Sequence, residues 1–127
     1  MPTVELQRKC VIVDDDRTTR ERLTEILERS GWVVSQAPSG LRLLSLLEVD
    51  RPDVILLDVA MSWINGFELC RAMKANSNYK NIPVVFISGR SAPADIETGL
   101  SCGAADYFVK PIDTQRLLER LRELSPE

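Results

Sequence analysis

Three consecutive aspartates, Asp14, Asp15 and Asp16, follow the apolar run at 10–13. Adjacent carboxylates at the end of a buried strand repel one another unless a positive charge lies between them. A divalent cation such as Mg²⁺ or Mn²⁺ can supply that charge, because hard cations take oxygen ligands and Mg²⁺ is held by one or two carboxylates together with a substrate phosphate. The sequence therefore predicts a cation site at Asp14 and Asp15. Asp16 is assigned instead to the N-cap of a following helix.

Three further polar residues end apolar runs and could act on a phosphate. Asp58 follows the run at 54–57, Ser88 the run at 84–87 and Lys110 the run at 107–109. A carboxylate such as Asp58 can attack a phosphoryl group and form an acyl phosphate when a cation masks its charge. Lys110 can neutralise phosphate oxygens, and the Ser88 hydroxyl can hydrogen-bond to one of them. These residues predict phosphoryl transfer to Asp58.

The elements that must position these residues are short apolar runs that alternate with segments of helical periodicity. Strands are predicted near 9–14, 32–37, 54–58, 84–88 and 107–110. All but the second are almost continuously apolar, which is typical of strands buried on both faces of a parallel sheet. The pattern predicts an α/β fold with a doubly wound sheet, in which ligands bind at the carboxyl ends of the strands. Asp14, Asp58, Ser88 and Lys110 all lie at those ends.

Five helices are predicted between and after these strands, and their ends carry recognisable signals. The first is capped by Asp16 or a following threonine and stops at Gly31, the second begins near Ser39, and the fourth begins with Ser91 as its cap. The third begins near Gly66 and the fifth near 113. The residues predicted to face inward are, helix by helix, Leu23, Ile26 and Leu27; Leu43, Leu44 and Leu47; Phe67, Cys70 and Met73; Ile96 and Leu100; and Leu117, Leu118, Leu121 and Leu124. The fourth helix has the thinnest stripe, so it is expected to pack loosely.

Composition limits the chain to one domain and excludes several functions. At 127 residues and 44% hydrophobic, it can build one core of its own. We place the domain at 10–124, between an N-terminal leader at 1–9 and a tail at 125–127. The net charge of −3 and the scattering of 16 basic among 19 acidic residues argue against direct nucleic-acid binding. With no apolar stretch of membrane-spanning length, we expect no membrane contact and a cytoplasmic location.

Two residue types narrow the chemistry further. The chain has no histidine, which excludes Ser-His-Asp triads, most zinc chemistry and phosphotransfer from a histidine of its own. Cys10, Cys70 and Cys102 are odd in number and far apart in the chain. They are therefore expected to be reduced thiols packed in the core.

Four motifs give the chain a family resemblance that extends from residue 10 to residue 124. They are VIVDDD at 11–16, ILLDVAMSWINGFEL at 55–69, VVFISGR at 84–90 and GAADYFVKP at 103–111. Together they resemble the receiver domain of bacterial two-component response regulators, the CheY-like domain. The resemblance implies a three-layer flavodoxin-like sandwich, with five parallel strands in the order 2-1-3-4-5 and five helices.

The resemblance also implies a role for each matching residue. Asp58 would be the phosphoacceptor and Lys110 its lysine partner. Asp14, Asp15, Asp58 and the carbonyl of Ala60 would hold the Mg²⁺ ion. Ser88 and Tyr107 would form the switch, so that phosphorylation draws Ser88 towards the phosphate, lets Tyr107 swing inward, and reshapes the face made by the fourth helix, fifth strand and fifth helix. Such a domain catalyses only its own phosphorylation and dephosphorylation.

The partners and the lifetime of the phosphoryl group follow from the same resemblance. A histidine kinase or histidine phosphotransfer protein would donate the phosphoryl group, a downstream effector protein or domain would read the switch, and two copies could pair through the fourth helix, fifth strand and fifth helix. Ala60 and Arg90 match the positions that tune phosphoryl lifetime. Because Ala60 has no polar side chain to orient an attacking water, we expect slow self-dephosphorylation.

Two alternatives to this interpretation stay open in the sequence. Asp14, Asp16 and Thr18 fit the Asp-x-Asp-x-Thr pattern that resembles haloacid-dehalogenase phosphatases, in which Asp14 would be the nucleophile and Asp16 the general acid. That alternative lacks an acidic pair after Lys110 and leaves Asp58 without a role. The second alternative is a receiver-like module that binds partners without being phosphorylated. The complete set of acidic residues, Ser88 and Lys110 argues against it.

Overall fold

Strand and helix alternate through residues 7–61 and 64–125, which are the parts of the chain that this computed structural model describes. The strands are β1 (Lys9–Val13), β2 (Val33–Ala37), β3 (Val54–Asp58), β4 (Val84–Ser88) and β5 (Asp106–Val109). The helices are α1 (Arg17–Arg29), α2 (Gly40–Val49), α3 (Gly66–Lys74), α4 (Pro93–Ser101) and α5 (Thr114–Leu124). Three strands differ from the prediction by one residue: β1 ends at Val13, β2 begins at Val33, and both ends of β5 (Asp106–Val109) come one residue earlier. Most of the predicted leader and tail lies outside the described residues.

The five strands form one parallel sheet in the order β2-β1-β3-β4-β5. Side chains alternate across the sheet, so each strand contributes to two cores. One core contains α2 and α3 and the end of α4, with residues such as Leu43, Cys70 and Cys102. The other contains α1 and α5, with Leu27 and Leu121 at its centre. The predicted three-layer flavodoxin-like sandwich is confirmed, and all three cysteines are buried in it.

Four helices begin with a side-chain cap that explains where they start. Asp16, Ser39, Asn65 and Asp113 each accept a hydrogen bond from the backbone N–H three residues later, at 2.9–3.2 Å. This satisfies an N–H group that the first helical turn leaves unpaired. At the end of α1, Gly31 adopts a φ of 91°, which lets the chain turn sharply into β2. The predicted cap at Asp16 and the stop at Gly31 are confirmed.

Helix α4 and one face of α2 differ from the sequence prediction. The predicted cap at Ser91 is wrong, because α4 starts after Ala92 without a side-chain cap. Pro93 at the first helical position has no N–H to satisfy, which lessens the need for one. Leu44 and Leu100, predicted to face inward, are 40% and 46% exposed. Among the described residues, no helix has the length and apolar character that a crossing of the membrane requires.

Candidate functional site

The carboxyl ends of four strands bring the predicted polar residues to one edge of the sheet. Asp14 directly follows β1, and its N–H donates to the carbonyl of Ala37 at the end of β2 (3.1 Å). Asp58 and Ser88 are the last residues of β3 and β4. Lys110 follows β5, and its N–H donates to the Ser88 carbonyl (2.7 Å). Parallel register thus places these side chains together, as the sequence predicts.

Three carboxylates form the acidic part of the site. Oxygen atoms of Asp14, Asp15 and Asp58 all lie within 4.8 Å of one another. Asp14 and Asp58 are buried, whereas Asp15 is exposed at the mouth of the site. A cluster of carboxylate oxygens that is open on one side has the donor chemistry of a hard divalent cation, which keeps several waters as ligands. These three residues could therefore hold Mg²⁺.

Lys110 supplies the positive charge of the site. Its Nζ lies 2.8 Å from Oδ2 of Asp14 and 3.8 Å from Oδ2 of Asp58. Burial lowers the pKa of the lysine, but the hydrogen bond to Asp14 and the negative charges of Asp58 and Asp14 outweigh it, so the pKa lies above its ordinary value. Lys110 is therefore a permanent cation beside both buried carboxylates. The peptide bond between Lys110 and Pro111 is cis.

Asp58 is poorly stabilised as a carboxylate. Burial, and then the charge of Asp14, raise its pKa from 3.8 to about 6, while Lys110 acts in the opposite direction. Its hydrogen bonding is weak as well, because the Ala60 N–H lies 3.4 Å from Oδ1. A cation beside this group would favour its charged form. The oxygens of Asp58 are thus available for chemistry.

Asp14, in contrast, is hydrogen-bonded through both carboxylate oxygens and through its backbone carbonyl. Its Oδ1 accepts from the N–H of Asp16 (2.9 Å) and its Oδ2 from Lys110, while its backbone carbonyl accepts from Nη1 of Arg20 (2.7 Å). Arg20 is itself oriented by Gln36, at 3.3 Å from its Nε. Arg20 was not among the residues predicted from the sequence, where its signal is an arginine one helical turn after the acidic run. Asp14 is therefore a fixed group of the site.

Asp16 acts as a helix cap. Hydrogen bonds from the hydroxyl and the N–H of Thr19 engage its carboxylate and lower its pKa. This arrangement makes Asp16 a poor general acid, because its oxygens are occupied by the first turn of α1.

Ser88, Arg90 and Tyr107 lie along one hydrogen-bonded path that leads away from the carboxylates. The N–H of Arg90 donates to Oγ of Ser88 (3.0 Å), and the hydroxyl of Tyr107 donates to the Arg90 carbonyl (2.8 Å). The ring of Tyr107 packs on Phe86, with 5.9 Å between ring centroids. Arg90, one of the two residues that the resemblance links to phosphoryl lifetime, thus contacts both switch residues, Ser88 and Tyr107.

The start of α3 is fixed against the candidate acceptor. Gly66, the first residue of α3, donates its N–H to the carbonyl of Val59 (2.8 Å). A Cβ at Gly66 would collide with the carbonyl oxygen of Asp58, so only glycine allows this approach. The third helix therefore helps to fix the backbone of Asp58.

The fold and the site define a flavodoxin-like domain with an acidic pocket and a lysine at the carboxyl edge of its sheet. The model of the response regulator receiver domain family matches residues 10–122. The chain belongs to this family, the receiver domains of two-component response regulators.

Individual relatives agree with this assignment. Response regulator MprA of Mycolicibacterium vanbaalenii is 36% identical over 116 residues, which cover 91% of this chain and 49% of that protein. The chain spans about half the length of the curated relatives it matches. Chemotaxis protein CheY4 of Vibrio cholerae superposes with a TM-score of 0.86 at 30% identity, covering 94% of this chain and 99% of that one.

A third relative shows a different protein context. The signal receiver domain of a signal transduction histidine kinase from Syntrophus aciditrophicus superposes with a TM-score of 0.85 at 33% identity, covering 92% of this chain and 89% of that one. Receiver domains are signalling modules, and this chain is one of them.

Proposed function

We propose that Asp58 is the phosphoacceptor of this receiver domain and that Mg²⁺ binds to Asp14, Asp15, Asp58 and the carbonyl of Ala60. The contrast between the two buried aspartates carries the proposal. Within residues 7–61 and 64–125, Asp14 has both carboxylate oxygens engaged, whereas the contacts of the Asp58 carboxylate are one of 3.4 Å with Ala60 and one of 3.8 Å with Lys110. Mg²⁺, when bound, neutralises the carboxylates and attracts phosphoryl oxygens.

The chemistry is transfer of a phosphoryl group to a carboxylate oxygen. An oxygen of Asp58 forms a bond to phosphorus while the bond from phosphorus to the donor breaks, and the donor leaves with that bond's electron pair. Lys110 neutralises charge on the phosphoryl oxygens, and Ser88 donates a hydrogen bond to one of them. In dephosphorylation, a water oxygen bonds to the same phosphorus while the bond from phosphorus to Asp58 breaks, which restores the carboxylate and releases inorganic phosphate. The domain thus catalyses only its own modification.

The 127 residues contain no histidine, so a phosphohistidine donor must lie outside them. A histidine kinase or a histidine phosphotransfer protein fits this requirement, because a phosphohistidine presents a phosphoryl group with a good leaving group. We infer that Arg90, like Ala60, tunes the lifetime of the product, because its backbone contacts both Ser88 and Tyr107.

The output is proposed to pass through Ser88 and Tyr107 to the face formed by α4, β5 and α5. When Ser88 turns to the phosphoryl group, it gives up its bond from the N–H of Arg90. The segment after β4 is then free to favour the inward position of Tyr107, which is the position seen here, with the ring on Phe86 and the hydroxyl donating to the Arg90 carbonyl. This is a population shift, in which the phosphoryl group favours the arrangement that it contacts best. On α4, Pro93, Ile96 and Leu100 line one shallow and mostly apolar surface, which supports binding of an effector or a second copy of the chain.

Two assignments of the nucleophile can be separated by labelling. The chain is incubated with acetyl phosphate and Mg²⁺, and its intact mass is measured, followed by mapping of the modified peptide. Labelling should be lost in Asp58→Asn and kept in Asp53→Asn, an exposed aspartate at the other end of β3. Label on Asp14 would instead support the phosphatase alternative. A parent chain that takes no label would support the unphosphorylated interaction module.

The assembly proposal has its own measurement. Light scattering after size exclusion, with and without beryllofluoride and Mg²⁺, reports the mass in solution. A rise towards twice the monomer mass with both reagents supports pairing through α4, β5 and α5, and Leu100→Glu should abolish that rise. A monomer under both conditions rules out pairing and leaves the face to an effector.

A further inference from the structure

Gly99 is the buried residue of α4, and it lies against two aromatic rings. A Cβ at this position would lie 2.8 Å from Cδ2 of Tyr107, 3.2 Å from its Cε2 and 3.1 Å from Cδ2 of Phe86. Cβ atoms in proteins essentially never lie within 3.0 Å of a heavy atom to which they are not linked through the chain. Even the smallest side chain at position 99 would therefore force a ring or the helix to move.

The backbone gives no other reason for a glycine here. Gly99 lies within a regular helix, where alanine is the more favourable residue because glycine gains more entropy in the unfolded chain. In Gly31, by contrast, a φ of 91° accounts for the glycine. The absence of a side chain at Gly99 is therefore explained by the close approach of the two rings to the helix.

The ring that yields to a side chain must be that of Tyr107. Phe86 is completely buried and is wedged against Phe67, with ring centroids 5.3 Å apart. Close packing of this kind leaves it no free volume. Tyr107 is only half-buried at the edge of the sheet, and one hydrogen bond, from its hydroxyl to Arg90, ties it to the loop after β4.

We propose that Gly99 is a positioning residue for the aromatic switch: by presenting no side chain, it lets the ring of Tyr107 occupy its inward position while α4 stays docked on β5. Ser88, Arg90, Tyr107 and Gly99 then form a continuous path from the candidate phosphorylation site to α4. A side chain at position 99 makes the inward ring and the docked helix mutually exclusive. The inference rests on the proposed function, because that function gives Tyr107 its switching role.

Fluorine NMR of the chain labelled with 3-fluorotyrosine tests this directly. The chain has two tyrosines, so Tyr79→Phe assigns the resonance of Tyr107. Spectra are recorded with Mg²⁺ and beryllofluoride, and the solvent isotope shift reports how exposed the ring is. In Gly99→Ala, the ratio of inward to outward ring should fall roughly tenfold, as expected from overpacking by one methyl group. Ser101→Ala, an exposed position of the same helix, should leave the ratio unchanged.

A double variant separates positioning from ordinary helix stability. With the ring present, Gly99→Ala should lower the melting temperature; in the background of Tyr107→Ala, the same change should raise it, because alanine then has space and the better helix propensity. An unchanged resonance of Tyr107 in Gly99→Ala, or a higher melting temperature in both backgrounds, overturns the inference. Failure of the proposed function would be detected by a different experiment, the incubation with acetyl phosphate and Mg²⁺, in which Asp58 of the parent chain would take no phosphoryl group.

Discussion

Replacing Asp58 by Asn should make the metal-free domain more stable at neutral pH. The carboxylate at position 58 is buried beside Asp14, so its charged form is disfavoured in the folded chain. Asn has nearly the same shape and carries no charge. The substitution therefore removes a destabilising charge while leaving the packing of the site intact.

The size of this effect follows from the pKa of Asp58. The rise of this pKa from 3.8 to about 6 corresponds to at most about 3 kcal/mol of unfolding free energy. Because the folded pKa lies above the unfolded one, the favourable contribution of Asp58 is complete below pH 3.8 and is lost as the pH rises through about 6. The advantage of the Asn variant should thus be absent near pH 4 and reach its full value above pH 7.

Urea denaturation at pH 4 to 8 in the presence of EDTA measures this difference. Asp53→Asn serves as the matched control, since it removes an exposed carboxylate that precedes β3 and so lies at the other end of the strand from the acidic cluster. Mg²⁺ should stabilise the parent more than Asp58→Asn and so reduce the difference in unfolding free energy between them. At a Mg²⁺ concentration one hundred times the Kd of the parent, the parent gains about 2.7 kcal/mol. An Asn variant that is no more stable than the parent at pH 7.5 would show that the charge on Asp58 carries no cost.

Three further substitutions test the other members of the site. Lys110→Met should destabilise the domain by about 2 kcal/mol in urea, because it leaves the buried carboxylate of Asp14 without its cation; equal stability would contradict the pairing. Asp15→Asn should keep the fold but weaken the rise in melting temperature on adding Mg²⁺, and an unaltered titration would remove Asp15 from the ligand set. Ala60→Asn should shorten the half-life of the phosphoryl group on Asp58, measured by intact mass over time; an unchanged half-life would refute the tuning role.

The position of the site could be predicted from the sequence because it depends on strand ends. Apolar runs define where buried strands stop, and parallel pairing forces their carboxyl ends to one edge. Asp14, Asp58, Ser88 and Lys110 follow from these two rules alone. The order of the strands did not follow from periodicity, and the family resemblance was needed for it.

Features that depend on how helices and strands pack against one another could not be predicted from the sequence. Helical periodicity marks leucines but does not fix the rotation of a helix on the sheet, so Leu44 and Leu100 were wrongly placed inside. The role of Arg20 depends on a backbone carbonyl, which leaves no mark on the pattern of side chains. The role of Gly99 likewise depends on two aromatic rings that belong to different strands and are distant in the sequence.

The roles of the aspartates also emerge only from their surroundings. Asp14 and Asp58 carry the same sequence signal, a carboxylate at the end of a buried strand. In the structure, the carboxylate of Asp14 is bonded to Lys110 and to a backbone N–H, and its main chain is held in place. The carboxylate of Asp58 is buried and repelled by the charge of Asp14, and its contacts are weak. A carboxylate whose oxygens are both hydrogen-bonded must give up bonds to attack phosphorus, which raises the barrier. A weakly bonded carboxylate gives up fewer interactions. Unequal stabilisation of two identical side chains is therefore the basis on which we propose Asp58 as the nucleophile and Asp14 as a ligand of the cation.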